Sequence, residues 1–188
     1  MIMIGISGTN GSGKDTVGQM LAERHNFLFI SGSDLLREEA RKRGLPIERK
    51  VLSTISAEWR RNEGMGAVSA RVLKLFKTKK GKYAGLATVS LRHPGEADFI
   101  HSQDGKVVWV DADPKIRYDR IYSRQRTDED NKTYEEFLAE QQHEMSHSGD
   151  SATLNMSAVK ERADIFLTND GDDINAFMNE AEKALGLA

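Results

Sequence analysis

The stretch Gly8-Thr-Asn-Gly-Ser-Gly-Lys-Asp-Thr16 decides the fold, because it carries the spacing G-x-x-x-x-G-K of a phosphate-binding loop. An apolar run over Ile2–Ser7 precedes it as a predicted strand, and a helical pattern begins at Lys14. Glycines let backbone N–H groups approach phosphate oxygens, and the positive end of the following helix adds to the attraction. The sequence therefore predicts a loop that holds the phosphates of a nucleoside triphosphate.

Three residues at the end of this stretch have specific expected roles. Lys14 is placed to reach the β- and γ-phosphates and to follow the charge that develops during phosphoryl transfer. Asp15 stands where such loops usually carry a Ser or Thr that binds Mg²⁺, so we expect its carboxylate to approach the metal directly or through water. Thr16 is expected to bind the α-phosphate. The predicted ATP-binding residues of the loop are Gly8, Asn10, Gly11, Ser12, Gly13, Lys14, Asp15 and Thr16.

The rest of the chain alternates short apolar runs with longer helical patterns. Predicted strands cover residues 2–7, 27–30, 86–89, 106–110 and 165–168, with predicted helices between them. Such alternation is typical of a parallel sheet covered by helices on both faces. At 188 residues the chain fits one domain better than two. We therefore predict a single α/β domain over residues 1–188, with the three-layer P-loop NTPase fold and a five-stranded parallel sheet.

Composition excludes several classes of protein. The chain carries 27 Lys and Arg against 29 Asp and Glu, and this balance argues against extensive nucleic-acid binding. It has no cysteine, so disulfides, cysteine-zinc sites and thiol catalysis are excluded. No apolar stretch approaches the length of a membrane span, and the N-terminus lacks the pattern of a signal peptide. We expect a cytoplasmic enzyme, monomeric or homodimeric, that acts on a small molecule without a membrane or nucleic-acid partner.

A second motif follows the second predicted strand. The stretch Phe29-Ile-Ser-Gly-Ser-Asp34-Leu-Leu-Arg37 resembles the S-x-G-D-x-[LI]-R pattern of nucleoside monophosphate kinases, in which Asp and Arg flank the acceptor phosphate. Taken alone, these residues also fit a helix cap at Ser33 or Asp34 followed by an exposed arginine. The phosphate-binding loop one helix upstream favours the functional interpretation.

Further stretches extend this resemblance across nearly the whole chain. Residues 58–64, 88–97, 111–121 and 163–171 are similar to an archaeal and bacterial group of adenylate-kinase-like and dephospho-CoA-kinase-like proteins, close to (deoxy)nucleoside monophosphate kinases. The resemblance implies an acceptor-binding helical region at about residues 33–76. It also implies that Asn169 and Asp170 lie at a turn near the nucleotide base.

By the same resemblance, Arg60 and Arg92 bind the acceptor phosphate, with Glu96 close by to orient Arg92. Two guanidinium groups suit this task because each offers a planar fork to a doubly charged oxyanion. Arg60 also fits a solvated helix end. Relatives usually carry an acidic residue at the position of Ser90, so either Asp15 or Asp34 compensates here, or phosphoryl transfer is weak or differently organised.

Arginines recur along the helix predicted from Pro114. Arg117, Arg120 and Arg124 are spaced i, i+3 and i+7, which places them on one helical face. In small-molecule kinases such arginines enter from a mobile lid and stabilise the transferring phosphoryl group. We therefore predict a helical lid at about residues 124–150 and a catalytic role for Arg120 and Arg124. A solvated face relieved by nearby aspartates is the alternative.

A rival motif lies within the predicted lid. His143-Glu-Met-Ser-His147 matches H-E-x-x-H, the zinc signature of metalloproteases. No obvious third ligand and no strand-supported cleft accompany it. We interpret the two histidines as exposed residues of the lid helix, and a zinc hydrolase stays a third hypothesis.

The sequence as a whole favours an ATP-dependent phosphotransferase that moves the γ-phosphoryl group of ATP to a small acceptor, foremost a nucleoside monophosphate. Lys14 and the lid arginines then stabilise the transferring charge, while Asp34, Arg37, Arg60 and Arg92 position the acceptor. Dephospho-CoA kinase is the first alternative; its hydroxyl acceptor requires a carboxylate base, for which Asp34 is the candidate. A nucleotide-binding regulatory ATPase without an acceptor is the alternative from another class.

Overall fold

The structure, a computed structural model, describes residues 2–79, 81–124, 132–145 and 149–188, apart from the side chain of Arg124. The strands are β1 (Ile2–Gly8), β2 (Phe27–Ser31), β3 (Gly85–Val89), β4 (Lys106–Asp111) and β5 (Ile165–Thr168). The helices are α1 (Lys14–His25), α2 (Gly32–Lys42), α3 (Arg49–Glu63), α4 (Ala67–Thr78), α5 (Pro94–Ser102), α6 (Pro114–Arg124), α7 (Tyr134–Met145), α8 (Met156–Glu161) and α9 (Ile174–Leu185). Within the described ranges, every helix is too short or too polar to cross a membrane.

The five strands form one parallel sheet in the order β2-β3-β1-β4-β5. β1 lies at its centre, where Ile6 pairs with Val89 of β3 on one side and with Val108 of β4 on the other. Because all strands are parallel, their carboxyl ends meet at one edge of the sheet. Ligands bind at this edge in open α/β sheets, so the fold positions the phosphate-binding loop there, directly after β1.

Helices cover both faces of the sheet. Ile4 of β1 joins a buried cluster formed with α1 and α9, whereas its neighbour Met3 joins a second cluster formed with α4, α5 and α8. Successive strand residues point to opposite faces, and both of these are buried. The predicted three-layer α/β fold with a five-stranded parallel sheet is thereby confirmed.

Two helix starts differ in how they are capped. α2 begins at Gly32 with Ser31 as its N-cap residue and no capping side chain, so the predicted cap at Ser33 or Asp34 is wrong. Asp34 lies instead in the first turn, where the helix dipole favours a carboxylate. Asp113 does cap α6, since its Oδ1 accepts the N–H of Lys115 at 2.8 Å.

Candidate functional site

The loop between β1 and α1, residues 8–13, is here called the phosphate loop. Its glycines Gly8, Gly11 and Gly13 have φ angles of +147°, +82° and +96°. A Cβ atom on Gly8 would lie 2.0 Å from the carbonyl oxygen of Val110, and one on Gly13 would lie 2.5 Å from Nδ2 of Asn169. The loop therefore packs against β4 and the turn after β5 more closely than a residue with a side chain allows.

The helix that follows the phosphate loop begins without a capping side chain. Its N-cap residue is Gly13, and the first N–H groups of any α-helix have no partner within the helix. Ser12 is fully buried, and its Oγ atom has no hydrogen-bond partner among the described residues. Lys14 is partly exposed and Asp15 exposed in the first turn, beside Thr16. Backbone donors at the positive end of a helix dipole are chemically suited to phosphate oxygens.

The carboxylate of Asp111 lies beside the phosphate loop, and it was not among the predicted site residues. Asp111 ends β4, and its Oδ1 atom accepts the hydroxyl of Thr9 at 2.7 Å. The Nε atom of Arg117 lies 3.7 Å from the same oxygen. The position of Asp111 could have been recognised from the sequence, because an acidic residue there stands at the end of a predicted strand and ligands bind at the carboxyl edge of such a sheet.

Arg92 is held in place at the same edge, just beyond β3. Its backbone N–H donates to Oε2 of Glu96 at 2.9 Å, and its carbonyl accepts the N–H of Asn155 at 2.9 Å. Its guanidinium Nη1 donates to Oε1 of Glu144 on α7 at 2.9 Å. Glu96 therefore orients Arg92 through the backbone, and the guanidinium of Arg92 is already binding a carboxylate.

The carboxylate of Glu144 has a second guanidinium partner, Arg49, whose Nη1 atom lies 3.2 Å from the same oxygen. Burial alone would raise the pKa of Glu144, but the charges of Arg92 and Arg49, the hydrogen bond from Arg92 and the charge of Lys14 together lower it. Lys14, which directly follows the phosphate loop, thus acts on the same carboxylate as the two arginines. Three positive charges therefore act on one carboxylate.

A cleft separates the phosphate loop from α7 at this point. It encloses about 330 Å³, including the part open to solvent, and Asn10, Arg49 and Glu144 are among its lining residues. Gln141 also lines it, with a buried Oε1 atom for which the described part of the chain offers no hydrogen-bond partner.

Arg60 does not lie in this cleft. It is 2% exposed, and its Nη2 atom forms a 2.7 Å ion pair with Oε1 of Glu96, which is 1% exposed. Its Nη1 atom donates to the carbonyl of Ala152 at 2.9 Å and to the hydroxyl of Ser56 at 3.3 Å. The expectation that Arg60 binds the acceptor is corrected on this ground, because its guanidinium is buried and committed to protein partners.

Asp34 and Arg37, the other acceptor candidates, remain at the surface. Nη1 of Arg37 lies 2.6 Å from Oδ1 of Asp34. The side chain of Arg37 is 42% exposed and that of Asp34 is 69% exposed. They follow β2, at the carboxyl edge of the sheet, on the same side of the molecule as the phosphate loop. Both groups are accessible to a ligand there.

The arginines of α6 differ from the predicted row of lid residues. Arg117 is 1% exposed, and its Nε atom donates to the carbonyl of Ala112 at 2.7 Å. Burial lowers the pKa of Arg117, although nearby carboxylates oppose this shift. Arg120 donates to the carbonyl of Asn169 at 2.8 Å and to that of Gly171 at 3.0 Å. Arg120 therefore holds the turn after β5 in this structure, its catalytic role stays a prediction, and the side chain of Arg124 lies outside the described residues.

The turn after β5 meets the phosphate loop directly. Nδ2 of Asn169 donates to the carbonyl of Ser12 at 2.9 Å. Asp170 accepts the backbone N–H of Asp113 at 2.6 Å. Asn169 thus lies beside the phosphate loop, whereas Asp170 contacts the residue that caps α6. A role of this turn at the nucleotide base stays a prediction of the resemblance.

The described residues of the H-E-x-x-H motif do not form a zinc site. His143 is exposed, His147 lies outside the described residues, and the carboxylate of Glu144 is bound to Arg49 and Arg92. In the zinc enzymes with this motif the glutamate is a general base beside the metal. Glu144 is instead occupied by two guanidinium groups. Among the described residues, no cluster of three or more His, Cys, Asp or Glu is arranged to hold a metal ion.

Comparison with known families places the chain among P-loop domains. Residues 4–143 match the family model AAA_18, described as an AAA domain. A UPF0200 protein of Pyrococcus furiosus is 34% identical over 152 residues, covering 78% of this chain and 79% of that protein. A UPF0200 protein of Pyrococcus abyssi is 29% identical over 185 residues, covering 96% of this chain and 94% of that protein.

Solved structures with the same fold include small-molecule kinases. Shikimate kinase from Bacteroides thetaiotaomicron matches with a TM-score of 0.61 at 15% identity, over 99% of each chain. A gluconokinase from Sinorhizobium meliloti matches with a TM-score of 0.55 at 16% identity, over 98% of this chain and 91% of that one. The predicted resemblance to P-loop small-molecule kinases is confirmed at the level of the fold. The chain belongs to the AAA domain family AAA_18, and it matches UPF0200 proteins along most of its length.

Proposed function

We propose that this protein is a kinase that transfers the γ-phosphoryl group of ATP to a small anionic acceptor, foremost a nucleoside monophosphate. One observation carries the proposal. A carboxylate oxygen is bound by Arg92 at 2.9 Å and Arg49 at 3.2 Å, and the charge of Lys14 acts on the same group. An anion that binds these arginines would therefore also be attracted by the charge of the lysine that contacts the transferring phosphoryl group in P-loop enzymes.

The residues divide the work of transfer among them. The phosphate loop and the start of α1 hold the nucleotide phosphates, and Lys14 stabilises the charge that develops on the γ-phosphoryl group. Arg92, positioned by Glu96, holds the acceptor. An oxygen of the acceptor phosphate then forms a bond to the γ-phosphorus as the bond to the β,γ-bridging oxygen breaks, and ADP leaves with the electron pair. A phosphate acceptor is already anionic, so no general base is required.

The oxygen donors near the phosphate loop suit Mg²⁺, the usual companion of ATP. This ion prefers one or two carboxylates together with substrate phosphates and water. Asp15, exposed in the first turn of α1, is the residue that we propose to hold it, directly or through water. Bound there, Mg²⁺ neutralises phosphate charge. Ser90, which directly follows β3 with a φ of +71°, offers only a hydroxyl.

The proposed site residues are contributed by several regions of one domain. We propose one domain over residues 1–188, in which α2, α3 and α4 form the acceptor-binding region and α7 belongs to the lid. The site residues of this proposal are the phosphate loop with Lys14, Asp15 and Thr16, the surface pair Asp34 and Arg37, and Arg92 with its supporting Glu96. Asn169 and Asp170 are proposed to border the nucleotide base.

An acceptor screen tests the proposed function. Purified protein with ATP and Mg²⁺ is given nucleoside and deoxynucleoside monophosphates, dephospho-CoA, shikimate or gluconate, and ADP formation is recorded, with Lys14→Met as the inactive control. We expect acceleration by at least one monophosphate and loss of that acceleration in the control. Acceleration by dephospho-CoA alone identifies the alternative kinase, with Asp34 as its base. ATP hydrolysis that no acceptor changes identifies a regulatory ATPase and overturns the proposal.

A further inference from the structure

The contact between α7 and the acceptor side of the cleft consists of opposite charges. Oε1 of Glu144 is shared between Arg49 at 3.2 Å and Arg92 at 2.9 Å. The side chain of Glu144 is 18% exposed, so water shields this contact little. A single carboxylate oxygen with two guanidinium donors has the environment that a bound phosphate oxygen requires.

Neither Arg49 nor Glu144 is placed to stabilise its own helix. Arg49 is the first residue of α3, where the positive end of the helix dipole disfavours a cation. Glu144 is the last residue but one of α7, where the negative end disfavours an anion. Helix stability therefore does not explain these two charges, whereas their meeting across the cleft does.

The same contact holds α7 over the phosphate loop. Arg49 also lies 3.4 Å from Glu140, one turn earlier on α7, and Glu140 pairs with Lys132. At the same end of the helix as Glu144, the hydroxyl of Ser157 donates to the carbonyl of Met145 at 2.6 Å. The cleft below is small, and it is lined by the paired residues themselves. An acceptor that reaches Arg92 must therefore compete with Glu144.

We propose that Glu144 is an internal occupant of the acceptor site, that Arg49 is a second acceptor-binding arginine, and that a phosphate monoester displaces Glu144 from both arginines. Displacement removes this ionic contact from the end of α7 and leaves the bond from Ser157 there, so the lid loosens in response to the acceptor. A dianionic phosphate competes well because it offers more charge and more acceptor oxygens than one carboxylate. The identification of the ligand as the acceptor rests on the proposed function; the anion site itself does not.

Phosphate binding tests the site without any need for turnover. Isothermal titration with inorganic phosphate compares the unaltered protein with Glu144→Gln, which keeps the shape of the side chain but removes its charge. We expect about tenfold tighter binding, because an internal competitor that holds the site most of the time weakens apparent affinity by that factor. Glu135→Gln, on an exposed position of the same helix, is the matched control and should bind like the unaltered protein.

The role of Arg49 is tested in the same titration. Phosphate also binds the phosphate loop, so the double variant Arg49→Met with Glu144→Gln separates the two sites. The gain produced by Glu144→Gln must disappear in the double variant, since the loop is unchanged in both. No gain in Glu144→Gln, or a gain that survives in the double variant, overturns the proposal.

Hydrogen exchange provides a second measurement for the case in which a substitution disturbs folding. In the unaltered protein, we expect saturating inorganic phosphate to speed amide exchange in the last turn of α7 severalfold, because Glu144 no longer anchors it. Unchanged or slower exchange there contradicts displacement.

The two proposals fail in different ways. If phosphate binds as expected but no acceptor accelerates ADP formation, the kinase assignment fails and the anion site stands. If an acceptor is phosphorylated but Glu144→Gln changes neither phosphate affinity nor the KM for that acceptor, the internal occupant fails and the kinase stands.

Discussion

Arg60 and Glu96 form a 2.7 Å ion pair in which each side chain is only 2% exposed. The second carboxylate oxygen of Glu96 accepts the backbone N–H of Arg92 at 2.9 Å. A buried pair therefore supports the arginine that we assign to the acceptor. The pair connects α3 to α5 beneath the candidate site, and its role is to position Arg92.

Breaking this pair should destabilise the protein and weaken acceptor binding together. For Glu96→Gln we expect a loss of about 3–5 kcal/mol in the free energy of unfolding, because Arg60 then keeps a buried charge without its counterion. Urea unfolding measures this loss. In the kinase assay the acceptor KM should rise more than the ATP KM.

The matched control is Lys42→Ala, which removes an exposed ion pair with Glu38 on α2. It should leave the urea midpoint nearly unchanged, because exposed pairs contribute little. Equal effects of the two substitutions contradict a supporting role for the buried pair.

Gly13→Ala tests how closely the phosphate loop is packed. A Cβ atom there meets Nδ2 of Asn169 at 2.5 Å, in a backbone conformation with φ of +96°. Gly44 also has a positive φ, +66°, but a Cβ atom on it would meet no atom of the described residues within 4 Å, so Gly44→Ala tests the backbone strain without a steric clash. We expect a cost of about 1–2 kcal/mol for Gly44→Ala.

The cost for Gly13→Ala should be larger, and nucleotide affinity should fall as well, because the hydrogen bond from Asn169 to Ser12 must be given up. Thermal unfolding and ATP titration measure the two effects. Equal losses of stability with unchanged ATP affinity show that the loop tolerates a side chain and that the packing argument is wrong.

The ion pairs of Glu144 should make the stability of the protein depend on pH. The pKa of Glu144 in the folded protein lies below its usual value of 4.5. Its contribution is therefore fully present above pH 4.5 and is lost as the pH falls through the folded pKa. The difference in unfolding free energy between the unaltered protein and Glu144→Gln should be constant at neutral pH and shrink below this value. A difference that does not vary with pH contradicts the ionised pair.

Arg120→Ala tests whether Arg120 only positions the turn after β5 or acts in catalysis. If Arg120 only holds the carbonyls of Asn169 and Gly171, its loss should raise the KM for ATP several-fold and leave kcat within about threefold. A residue that stabilises the transferring phosphoryl group would instead lower kcat by about 10²-fold or more. Steady-state kinetics separates the two, and Lys115→Ala, an exposed change on the same helix, is the control.

The central elements were predictable because their signals are local. The period of the apolar residues specifies the strands and helices, and the glycine spacing with Lys14 specifies the phosphate loop. Asp113 followed by Pro114 marks the start of α6 in the same way. The order of the strands in the sheet has no such signal, since nothing local determines which strands are neighbours.

The site itself was only partly predictable, because its contacts join distant parts of the chain. Glu144 meets Arg92 and Arg49 across 52 and 95 residues, and no spacing indicates such a meeting. An arginine at the start of α3 was the one available signal for Arg49, since the helix dipole disfavours it there. The same limit explains Arg60, whose sequence motif suits a phosphate contact but whose burial depends on Glu96, Ser56 and Ala152.

The most direct test of the account follows the γ-phosphoryl group of ATP by ³¹P NMR in the presence of the acceptor that the screen identifies. We predict a new phosphorylated-acceptor resonance that grows with that of ADP, and a loss of about 10²–10³-fold in its rate of appearance in Lys14→Met. Formation of inorganic phosphate alone, at a rate that neither the acceptor nor Arg92→Met changes, would contradict the claim that Lys14 and Arg92 act on one transferring group.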